Sequence, residues 1–231
     1  MKFFNIMPIA DWLAMLLFFA SWIGYAWYAE RGHSGGDTLL ARTNQYRRYW
    51  LLQASYRDPR MLDGIITQAL STTPAFFSSA SIIVLGGLFA LLGVTDRASE
   101  LVNEMPFSQP STVMLFDAKV LLLVGIFIYA FFRFSWSMRL HTFVALAIGS
   151  MPSAESFEGG QFDRQAHVLR ASRLVGLAAE AFNSGLRAYY MSFAVIGWFF
   201  SPQAFIVATL LVVAVIYRRE FQSDVLKVLT D

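Results

Sequence analysis

Residues Ala188 to Tyr217 read AYYMSFAVIGWFFSPQAFIVATLLVVAVIY, thirty residues with no formal charge and one interruption, Ser201-Pro202. A helical membrane crossing takes about 20 apolar residues at roughly 1.5 Å each. The stretch is therefore long for one crossing and short for two. Proline suits the first turn of a helix and pushes the residue before it out of the helical region. A turn at Ser201-Pro202 gives two spans, about 184–200 and 203–217, and returns the tail to the side it came from. Arg218 and Arg219 would then snorkel from the short last span.

Three other apolar runs lie upstream, Met7 to Ala29, Pro74 to Val94 and Val113 to Phe132, about 7–29, 74–94 and 113–132 as spans. The first is too long for a cleavable leader and lacks a small-residue cleavage pattern after it, so it is expected to stay and cross. The 18 lysines and arginines test the turn. Six arginines lie between the first and second runs, six between the third and fourth, and three basic residues follow Tyr217; Lys2, Arg97 and Lys119 fall on the other side. With the turn, the basic residues divide 15 to 3 across the membrane; with one long helix they divide 12 to 6. Positive residues gather on the cytoplasmic side. The expectation is an all-α polytopic integral membrane protein of the plasma membrane (a bacterial inner membrane). It has about five transmembrane helices, the N-terminus outside and the C-terminus cytoplasmic.

Composition points the same way. The 231 residues are 56% hydrophobic and 15% charged, against about 25% charged in a soluble domain. With no cysteine there is no disulfide, zinc-thiolate site or thiol nucleophile.

The cytoplasmic segments carry helical patterns. A turn signal, Gly32-His33-Ser34-Gly35-Gly36, precedes a segment of about 42–56 in which Tyr46, Tyr49, Trp50 and Tyr56 alternate with arginines, a pattern suited to the headgroup layer. The segments at about 60–73, 133–148 and 162–183 are predicted to extend neighbouring spans into the cytosol. In the last, Val168, Ala171, Val175, Ala178, Phe182 and Leu186 recur every three or four residues.

Several strings together resemble the integral-membrane family catalogued as Domain of Unknown Function 599, found in bacteria and plants. They are Asn44, Arg47-Arg48 and Trp50; Asp58-Pro59; and Gly185-Leu186-Arg187-Ala188-Tyr189-Tyr190-Met191-Ser192-Phe193 followed by Trp198 and Ser201-Pro202. The likeness covers roughly residues 5 to 220, and the string from Gly185 to Phe193 is its most specific part. Ser201-Pro202 stands where the family often has Gly-Pro, and Ser71 and Thr72 where plant members have Arg-Asn. The resemblance implies a topology and no activity.

Motifs for chemistry are sparse. His33, His141 and His167 lack metal-ligand spacing, and Asp163 with His167 reads as a surface ion pair. No nucleophile elbow, Walker loop or dinucleotide fingerprint occurs, so no catalytic residue, metal or cofactor is expected and the chain is not read as an enzyme. Asp11, Asp117 and Lys119 lie near outer ends of spans and read first as boundary residues reaching water; Asp117 at the mouth of a polar vestibule is the sharper alternative. Arg187, at an inner edge, reads as a partner of Glu180 or Asp58, or as a ligand for a lipid phosphate.

The second span carries a stripe of small hydroxyl residues, including Ser78 and Ser81. It fits close helix packing, and also a conduction path. Two functions follow. One is a homo-oligomeric channel or passive transporter for ions or small solutes, lined by Ser78, Ser81 and Asp117. The other is a non-catalytic accessory or scaffold subunit that contacts anionic lipids, or a membrane-protein partner, through Arg47, Arg48, Trp50 and Arg187. Nucleic acid is disfavoured, because the net charge is only +2 and membrane orientation accounts for the arginines.

Overall fold

A computed structural model describes residues 7–35, 38–106, 109 and 111–230. Among the described residues the secondary structure is entirely helical: α1 (Ile9–Gly35), α2 (Leu39–Ala54), α3 (Met61–Leu92), α4 (Thr95–Asn103), α5 (Val113–Gly149), α6 (Ala154–Glu158), α7 (Arg164–Phe200), α8 (Pro202–Phe221) and α9 (Asp224–Thr230). Three of these helices are long and apolar enough to cross a membrane, within Ile9–Gly32, Met61–Leu92 and Val113–Gly149.

Several helices begin where a side chain can satisfy an early amide. Thr38, Thr112, Ser153, Asp163 and Ser201 each accept a hydrogen bond from the amide three residues on. Ser201 ends α7 in an extended conformation (φ −164°, ψ 158°), its hydroxyl takes the Ala204 amide at 3.0 Å, and Pro202 opens α8. The break therefore falls where the proline placed it.

The expected extensions are continuous with their neighbours. Segment 133–148 lies within α5 and most of segment 162–183 within α7, each 37 residues long, about 55 Å at 1.5 Å per residue. Most of segment 60–73 likewise runs into the second apolar stretch as one helix, α3, with Pro74 buried inside it. Where a turn is expected at Gly32 to Gly36, α1 runs on through Gly35; Gly36 lies outside the described residues. The short helix α4 follows α3 directly and has no counterpart among the sequence expectations.

Contacts fix the helix directions. Phe116 meets Phe199 and Ser137 meets Ala178, so α5 and α7 are antiparallel. Trp198 stacks on Phe205 while Tyr190 meets Arg219, so α8 folds back along α7. Phe18 packs on Phe205 and Tyr28 on Phe221, which makes α1 parallel to α8. Arg60 reaches Met151 and Ser78 reaches Ser135, which sets α3 antiparallel to α5. The core between them holds Phe18, Phe134, Met191, Trp198 and Phe205, all essentially without exposure. Outside this bundle, α2 lays Leu51 onto Val144, Ile148, Val168 and Val175 of the α5 and α7 extensions.

Candidate functional site

Four helices, α1, α2, α7 and α8, enclose a cavity of about 180 Å³, the liquid volume of about six waters. Its wall combines Arg47, Arg187 and Arg219 with Glu220, Asn183, Thr43, Tyr25 and Tyr190. Three guanidinium groups against one carboxylate leave a formal balance of two positive charges. Helical spacing puts them there: Thr43 and Arg47 are one turn apart on α2, and Asn183, Arg187 and Tyr190 follow one stripe of α7.

The guanidinium groups are held from within the fold. Arg47 Nη1 donates to Asn44 Oδ1 at 2.6 Å and Thr43 Oγ1 at 3.2 Å. Burial lowers its pKa from the usual arginine value, but a guanidinium stays charged in proteins. Arg187 Nε donates to the Asn183 carbonyl at 3.4 Å, and Arg219 donates to the Tyr190 hydroxyl. Glu220 Oε1 accepts the Leu40 amide at 3.3 Å, joining the start of α2 to α8. Convergent, planar guanidinium groups, with Arg47 and Arg187 half-buried and Arg219 exposed, are the donor set that phosphate and carboxylate oxygens fit best.

The expected lipid contacts thus separate. Arg47 and Arg187 come together. Arg187 lies beside Asn183 and Glu220, in place of the expected Glu180 or Asp58. Arg48 lines a separate shallow groove between α2 and α7 with Arg173 and Glu180. The Trp50 indole is committed to the protein: its N–H donates to Asp63 Oδ1 at 2.8 Å, and Arg57 pairs with the same oxygen at 3.2 Å. Arg60 donates to the Ala54, Met151 and Pro152 carbonyls and holds the α2–α3 corner to the end of α5.

Ser78 and Ser81 are buried and join helices within one copy of the chain. Ser78 shares a hydrogen bond with Ser135 at 3.1 Å; Ser81 donates to the Phe77 carbonyl at 2.7 Å and meets the Tyr189 hydroxyl at 2.9 Å. Asp117 is eighteen residues up α5 from Ser135, about 27 Å along the axis, half-buried, with Oδ1 shielded and lacking a protein partner.

The N-terminal ends of α1 and α5, with the C-terminal end of α7, hold a second polar cluster that corrects the boundary reading of Asp11 and Lys119. Both are buried, 3% and 4% exposed. Asp11 Oδ1 accepts the Trp198 indole N–H at 2.6 Å. The Lys119 ammonium lies 5.8 Å from the ring centres of Trp198 and Phe199, within reach of the Asp11 charge. The reason is helical register. Asp11 shares the core face of α1 with Ala14, Phe18 and Tyr25, and Lys119 that of α5 with Leu115, Leu123 and Ile126. His167 is also corrected: its Nε2 lies 3.1 Å from the Ala147 carbonyl, while Asp163 caps α7. No group of three or more potential metal ligands occurs among the described residues.

No curated protein and no solved structure matches the chain. Its sequence does match the family described as "Protein of unknown function, DUF599", over residues 13–225. That match takes in all four helices around the cavity and nearly the whole chain, so the protein belongs to the DUF599 family.

Proposed function

We propose that this protein is a five-span plasma-membrane protein that works by binding a phosphate-bearing anion on its arginine-rich cytoplasmic side, as a non-catalytic accessory or scaffold subunit. The observation that carries this reading is the convergence of Arg47, Arg187 and Arg219 on one small cavity. The five-span placement is supported by the alternating directions of α1, α3, α5, α7 and α8 and by the 15 to 3 division of basic residues. The channel reading has less support, because the Ser78 and Ser81 hydroxyls are engaged by neighbouring helices.

The chain has no cysteine, so single cysteines report topology without background. In intact cells a membrane-impermeant maleimide is expected to label Glu104→Cys and Gln203→Cys. Glu158→Cys and Asp224→Cys should react only after permeabilisation. Labelling of Asp224→Cys from outside would remove the fifth span.

The binding test titrates purified protein with inorganic phosphate, phosphatidylglycerol or phosphatidylcholine and follows thermal stabilisation, which rises with ligand occupancy. A soluble ligand predicts a response to phosphate, and a lipid headgroup a response to phosphatidylglycerol only. Arg187→Gln is expected to weaken either about 10- to 100-fold, the worth of a charge-assisted hydrogen bond. Arg48→Gln, outside the cavity, should leave binding unchanged. Equal binding by wild type and Arg187→Gln would remove the site.

A further inference from the structure

A second, larger space opens between α3 and α5: a groove of about 1330 Å³, above the roughly 300–1,000 Å³ of a small-molecule pocket. It exists because α3 presents only small or slender residues there. Gly64, Thr67, Gln68, Ser71, Thr72 and Ala75 fall on one helical stripe. The Ser71 and Thr72 hydroxyls bond back to the Gln68 carbonyl of their own helix.

The opposite wall, on α5, is basic and aromatic. Arg133 gives Nη2 to Ser184 at 3.0 Å, while its shielded Nε has no protein partner. Arg139 is exposed, its guanidinium 5.9 Å from the Phe143 ring. Among the described residues, no Asp or Glu lines the groove. Polarity is graded along it. Ala75, Tyr129 and Phe132 lie toward the bilayer centre in the five-span placement, and Arg133, Arg139 and Gln68 toward the cytosolic end. Trp136, 48% exposed, matches the aromatic belt at headgroup level.

We infer that this groove is a binding site for an anionic glycerophospholipid of the inner leaflet, its phosphate on Arg133 and Arg139 and its acyl chains along Tyr129, Phe132 and Ala75. Charge complementarity selects that occupant: a second copy seated symmetrically would bring the same two arginines together with no carboxylate between them. The inference rests on the membrane placement proposed above, and not on the arginine cavity.

The test uses the full chain, delipidated in detergent and titrated with phosphatidylglycerol or phosphatidylcholine, with bound lipids counted by native mass spectrometry. Each arginine near a membrane surface is worth about fivefold for an anionic lipid. Arg133→Gln with Arg139→Gln is therefore expected to weaken one phosphatidylglycerol site roughly 25-fold and leave phosphatidylcholine unchanged. Arg47→Gln with Arg187→Gln should leave that site intact. Thr72→Phe, at an exposed position, provides a check independent of the arginines: it fills the groove and should displace the same lipid.

A groove lipid retained in both the double arginine variant and Thr72→Phe would overturn the inference. So would a wild-type dimer that Thr72→Phe separates, since a second copy would then be the occupant. The cysteine labelling reads the membrane placement separately.

Discussion

Asp11→Leu is expected to destabilise the bundle by about 1–3 kcal/mol, the cost of leaving a buried donor without its acceptor. The substitution leaves the Lys119 ammonium enclosed by Trp198 and Phe199 without its nearby counter-charge, and the Trp198 N–H without its acceptor. Leu13→Ala, on the exposed face of the same helix, should fall within about 0.5 kcal/mol of wild type. Combining Asp11→Leu with Lys119→Met should recover part of the loss, because the double variant leaves no buried ammonium without a nearby carboxylate. Unfolding in mixed micelles, followed by circular dichroism, measures all four proteins. Equal destabilisation by Asp11→Leu and Leu13→Ala would show that the cluster contributes nothing specific.

Gly185→Ala is the second large effect. A methyl group at that position would stand 2.5–2.8 Å from the Phe134 ring. The ring has nowhere to retreat: Phe134 is fully buried, with Phe77, Phe182 and Tyr189 centred within 5.3–5.7 Å. Overpacking of this kind usually costs about 1–3 kcal/mol, and the upper end is expected. Phe134→Leu should make Gly185→Ala less damaging than it is alone, by an amount a double-mutant cycle reports directly. Strict additivity of the two changes would mean that Gly185 matters for some reason other than this contact.

The Gly185 string was visible in the sequence as a resemblance, but its physical reason was not, because Phe134 approaches from fifty-one residues away. Local signals served well. Pro202 located the α7–α8 break, and uninterrupted helical period joined the extensions to α5 and α7. Long-range convergence did not announce itself. Arg47 and Arg187 were legible as basic residues at an inner edge, yet only the packing of α2 and α8 against α7 joins them to Arg219 and Glu220. Asp11 and Lys119 did carry a usable signal, since each shares a helical face with core residues. Their position near span ends pointed toward water, and register proved the better guide.

The unbroken length of α7 has a mechanical consequence. From Arg164 to Phe200 the helix contains no proline, so it transmits tilt as a stiff rod. Gly185, seated against Phe134, lies between Trp198 toward one end and the Arg164 turns at the other. Pivoting about Gly185 by about 5° would sweep the Arg164 end, some 32 Å away at 1.5 Å per residue, through about 3 Å. Arg187, two residues from the pivot, would scarcely move. The α7 wall of the arginine cavity therefore sits near the still point of a lever whose far arm ends at Arg164.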